Sequence, residues 1–161
     1  MHFGGNTTLT RAIYQETEVP VQLSERQRLL LLRTILAAGI LSTAIHYTHN
    51  FIEVHLYPGP HGSFDTFTRV AIVVAWPLLT AIGLIGYRRY AEHRYREARV
   101  CLAVYSATGL ATLGHFAYGS PQIPAFFYAT LFTDALTGLA VLAFALIYAR
   151  PPRGPVEQAL A

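Results

Sequence analysis

Four apolar runs dominate the chain: about Leu29 to Phe51, Val70 to Tyr87, Ala98 to Tyr118 and Pro124 to Ala149. Each approaches the roughly 20 residues a helix needs to cross a hydrocarbon core. In lipid every backbone N–H and C=O must be bonded within its own segment, so runs of this length predict helices. The expected fold is all-α, a polytopic membrane protein built as a four-transmembrane-helix bundle. Ser24-Glu25-Arg26-Gln27 has capping-box spacing and sets the start of the first helix. Continued to His55, that helix would run about 31 residues, or roughly 47 Å. Pro77 removes one backbone donor from the second helix and predicts a kink. Residues 1–23 read as a flexible cytoplasmic N-terminus without the apolar stretch of a signal peptide. Residues 24–149 read as the membrane domain and 150–161 as a cytoplasmic tail.

Composition agrees. Hydrophobic residues make up 53% of the chain and charged residues 13%, against about 25% charged in a soluble domain. The net charge of +3 would suit nucleic acid, but its placement says otherwise. Five arginines (88, 89, 94, 96 and 99) lie between the second and third runs. Arg26, Arg28 and Arg33 stand at the start of the first, and Arg150 and Arg153 follow the fourth. The connections Ile52–Thr68 and Gly119–Ile123 hold no Lys or Arg. The positive-inside rule then expects cytoplasmic termini, in a bacterial-type inner membrane or a plasma membrane, and no nucleic-acid partner. Cys101 is alone and reads as a packing residue. There is no phosphate-cradling glycine loop and no nucleophile elbow.

With so little charge, the polar residues inside the apolar runs carry the information. His46, His49, Asn50 and Glu53 lie at i, i+3, i+4 and i+7, one helical face. Gly39, Ser42, Thr43 and Tyr57 extend that stripe. In the third run His115 lies at similar depth, with Thr108, Ala111, Thr112 and Tyr118 on its face as a small, polar contact seam; Gly109 and Gly114 fall off it. In the fourth run Asp134 is an acid about 15 Å deep at helical rise, flanked by Thr130 and Thr137. An isolated carboxyl there is expected to be neutral. Intramembrane acids usually face a bundle interior or cavity and serve function. Aromatic residues crowd the outer half and suit both an interfacial belt and an apolar pocket. Tyr87, Tyr90 and Tyr95 are expected to form an inner belt.

The segments Ile45-His46-Tyr47-Thr48-His49-Asn50, Ala75-Trp76-Pro77-Leu78 and Phe132-Thr133-Asp134-Ala135-Leu136 resemble the EXPERA group, the emopamil-binding and sigma receptor-like four-helix proteins. The resemblance implies an internal pocket for sterol-like or cationic amphiphilic ligands. His46 matches the first-helix histidine of its isomerases. Asn50 stands where that group has an acid, with Glu53 a turn further on, and Asp134 stands where it has an asparagine. No acid matches on the second helix, where Arg69 lies near the place and Asp65 four residues earlier. In this reading the protein binds a hydrophobic, isoprenoid- or sterol-like molecule or membrane lipid. His46, Asp134 and Glu53 would move protons, and Asn50, Trp76, His115, Tyr118 and Thr112 would line the pocket. A protonated Asp134 or a histidine would donate to an alkene, and Trp76 would face the developing cation.

Two further readings use the same residues. His46, His49, Glu53 and His115 would supply three imidazoles and a carboxylate to zinc, copper or iron. Alternatively, His46 and His115 would hold a haem b between them. The last reading is a structural or assembly subunit, with a homo-oligomer open in every case.

Overall fold

The computed structural model describes residues 23–59 and 63–150. Helix α1 covers Glu25–Ile52, α2 Ser63–Ala91, α3 Tyr95–Leu110 and α4 Ala125–Ile147. A 3-10 turn, Val54–Leu56, follows α1, and a longer 3-10 segment, Ala111–Tyr118, continues α3. All four spans are long and apolar enough to cross a membrane. The protein is an all-α four-helix membrane bundle. Most of both terminal segments and His61 lie outside the described residues.

The first helix starts where its capping box predicts. Ser24 Oγ accepts from the Gln27 N–H at 3.3 Å, and Gln27 Oε1 accepts from the Ser24 N–H at 2.8 Å. It stops at Ile52, short of His55, because the chain tightens into the 3-10 turn. Helix α2 runs on through Pro77.

Three helices bury residues at alternating spacings of three and four. In α1 these are Leu32, Leu36, Gly39, Thr43, His46 and Asn50; in α3, Ala98, Leu102, Tyr105 and Gly109; in α4, Leu131, Asp134, Gly138, Val141 and Ala145. A 3.5-residue repeat keeps one seam facing the bundle axis along each helix. Helix α4 packs between α1 and α3, α2 packs mainly on α3, and α1 and α2 touch only sparsely. Helix α2 is buried at Gly83, Gly86 and Tyr90, whereas none of residues 64–82 is buried. At Gly83 the helix comes so close that an added Cβ would lie 2.7 Å from the Tyr105 ring. The bundle is therefore tight at its α2–α3 turn end and loose where α1 and α2 face each other near the other end.

Two expectations are corrected. Tyr90 is a core residue, 4% exposed and edge-on to both Phe144 at 5.1 Å and Tyr95 at 5.5 Å, with Tyr87 and Tyr95 half-buried against the same core rather than forming a surface belt. Gly109 does not lie off the α3 seam: a Cβ there would overlap the Asp134 carbonyl, and at Gly138 one would lie 2.8 Å from the Ser106 carbonyl. These two glycines are what let α3 and α4 approach.

Candidate functional site

The polar residues of the apolar runs meet on the bundle axis, in the half away from the α2–α3 turn. His46 reaches this point because the heptad seam of α1 points it inward, and Asp134 because the seam of α4 does the same. His46 Nδ1 and Asp134 Oδ2 lie 2.7 Å apart, with both side chains fully buried. The carboxyl is thus not isolated, as its surroundings in sequence had suggested, but paired across 88 residues of chain. A histidine and a carboxyl that bond each other are the form of ionisable pair that a membrane interior tolerates. His46 Nε2 and Asp134 Oδ1 are buried with no hydrogen-bond partner.

His115 meets His46 edge-on, ring centroids 5.1 Å apart. It arrives there because the end of the third span is wound as a 3-10 helix. With three residues per turn, Thr112, His115 and Tyr118 stack in one column. Thr112 is buried and its hydroxyl donates to the Gly109 and Leu131 carbonyls, tying the column to α4. Ala111 and Tyr118, expected on the buried face, are exposed. Asn50 is 3% exposed. Its Nδ2 donates to His115 Nε2 at 3.4 Å. The Asn50 carbonyl oxygen is buried and unpartnered.

Tyr57 closes the group from the loop after α1. It is 4% exposed, and its ring lies 4.8 Å from that of His115 and 5.8 Å from that of His46. Burial, reinforced by the Asp134 carboxylate, pushes its phenol above the ordinary tyrosine range. Outside this ring of side chains lies a cavity of about 210 Å³ whose walls include Asn50, Tyr57, Phe64, Asp65, His115 and Tyr118.

Other expected residues are turned elsewhere. His49 bonds the Tyr57 hydroxyl through Nδ1 at 3.0 Å and stacks on Phe127 at 3.7 Å. Glu53 caps the end of α1, partly exposed, 3.7 Å from His55. The indole N–H of Trp76 donates to Thr43 Oγ1 at 3.1 Å, which places the ring in a second cavity away from the pair. Arg69 lies exposed against the Phe51 ring and the Ile52 carbonyl. Tyr57, which the sequence places on the α1 stripe without a role in the site, and Asp65, noted only as lying near the place of a second-helix acid, both wall the cavity mouth, beyond the last turn of α1 and in the first turn of α2.

The haem reading does not fit this geometry. Two imidazoles on opposite faces of one iron, with metal–nitrogen bonds of roughly 2.0–2.1 Å, need ring centroids about 6 Å or more apart. His46 and His115 are closer and edge-on. Nor do His46, His49, Glu53 and His115 converge: among the described residues no three His, Cys, Asp or Glu side chains are arranged to hold a metal ion. No family model, curated protein or solved structure matches the chain.

Proposed function

We propose that the outer cavity binds a hydrophobic small molecule of the isoprenoid- or sterol-like class, and that the His46–Asp134 pair moves protons for it. One observation carries this reading: a fully buried, 2.7 Å histidine–carboxyl pair whose remaining Nε2 has no partner, linked through the His115 ring to a cavity walled by aromatic side chains. Small-molecule sites are typically apolar with a few convergent polar groups. The EXPERA-like pattern of the sequence points to the same ligand class.

The chemistry suited to such a pair is migration of a double bond. An alkene carbon takes a proton from His115, the imidazole that walls the cavity with the His46–Asp134 pair behind it, and a neighbouring carbon returns one there, so no net proton is consumed. Asp134 stabilises the imidazolium form of His46 at one moment and holds the shared proton at another. Positive-inside charge placement supports cytoplasmic termini, with this site in the half of the membrane facing outward.

Mass spectrometry of protein purified from its own membrane tests the reading. A hydrophobic molecule enriched over bulk lipid is expected in wild type and lost in H46A and H115A. N50L, which keeps the bundle packed, should lose it as well. Recovery of that molecule from heavy water should show deuterium on carbon. Equal lipid content in wild type and all three variants would leave only a structural subunit.

A further inference from the structure

We infer that the ligand is a linear amphiphile, a chain alcohol of isoprenoid type rather than a fused-ring sterol, lying along α2 with its hydroxyl end at Asn50, His115 and Tyr57. This rests on the binding reading above and specifies its substrate class. A second cavity of about 200 Å³ lies next to the first along α2, and Thr68 forms part of the wall of both. Ala71, Ala75, Trp76 and Leu79 of α2 line it, facing Tyr47. The space exists because α2 stands off α1 over its outer half and is buried only from Gly83 onward. From Phe64 to Trp76 the two cavities extend about 18 Å along the helix at 1.5 Å per residue.

The polarity of this path changes along its length. At the outer end Asn50 presents a buried carbonyl oxygen with no partner. In the inner cavity the polar atoms are already engaged: the Tyr47 hydroxyl donates to the Thr108 carbonyl, the Thr108 hydroxyl to the Tyr105 carbonyl, and the Trp76 indole to Thr43. A polar end followed by an apolar run is the profile of a single-chain amphiphile. Two modest volumes in series, in place of one broad chamber, suit a flexible chain better than a rigid ring system. Access from the bilayer is lateral, past the exposed Phe67.

Trp76 is the chain's one tryptophan and sits where the far end of such a chain would lie. The probe is octadecanol carrying a nitroxide near its methyl end or near its hydroxyl, added to full-length protein in unlabelled micelles. The methyl-end probe should quench Trp76 saturably and several-fold more than the hydroxyl-end probe. Geranylgeraniol should displace it and cholesterol should not, and A75F should abolish the quenching. Equal quenching by both probes, or displacement by cholesterol, overturns the linear class and leaves the binding reading standing. So does absence of saturable quenching in protein that still retains its co-purified lipid. Absence of quenching together with absence of retained lipid overturns both.

Discussion

Gly109 lies directly against the backbone carbonyl of Asp134, with no room between them for a methyl group. The residue that carries the acid is thereby held at the closest point between α3 and α4, and its side chain is aimed across the bundle at His46.

Replacing Gly109 by alanine should force the two helices apart. Overpacking of a tight contact costs about 1–3 kcal/mol. G109A is expected to lower resistance to unfolding in a denaturing-detergent titration by that order. Gly114 has nothing within 4 Å of an added Cβ, so G114A should leave the midpoint unchanged. A midpoint for G109A equal to wild type would show that the helices can shift freely.

The His46–Asp134 pair makes a second, non-additive prediction. Removing one partner leaves an uncompensated polar or charged group in the interior, a loss of about 3–5 kcal/mol for buried pairs. H46L and D134L should each be strongly destabilised. The double variant H46L/D134L should be more stable than either, because neither half is orphaned. Strictly additive losses in the same titration would mean the two groups do not interact.

Tyr57 predicts a pH dependence. Its phenol is held above the ordinary value, first by burial and then by Asp134. Between the unfolded value, about 10, and the higher folded one, the folded state binds more protons than the unfolded state. This contribution is therefore complete below about pH 10 and is lost as pH rises further. Y57F should show a flatter loss of stability in alkali than wild type. In difference absorbance it should lack only phenolate that forms late. A component lost near the ordinary tyrosine value would contradict the burial.

Membrane sidedness is open to a labelling experiment in a C101A background. Ser120 is exposed between the third span and α4, and Arg96 is exposed at the opposite end of the bundle. S120C should react with an impermeant thiol reagent on intact cells, and R96C only after permeabilisation. The reverse pattern would invert the assigned topology.

The sequence by itself determined the four spans, their order and the cap at Ser24. Backbone groups in lipid have no other partners, and capping is local chemistry. It also singled out His46, Asn50, His115 and Asp134, because polar groups at that depth are few. Tertiary structure decided which of them meet. Lipid-facing and bundle-facing apolar residues look alike in sequence, so neither the α1–α4 contact that pairs His46 with Asp134 nor the gap beside α2 could be read from it. The 3-10 winding of Ala111–Tyr118 was equally hidden. It aligns His115 with the buried Thr112 and brings it against His46, while Tyr118, at the end of the segment, lies exposed. His49 and Glu53 share a helical stripe with His46, but the 3.5-residue seam of α1 leaves both at its margin. Position along the chain set depth in the membrane; packing set the partner.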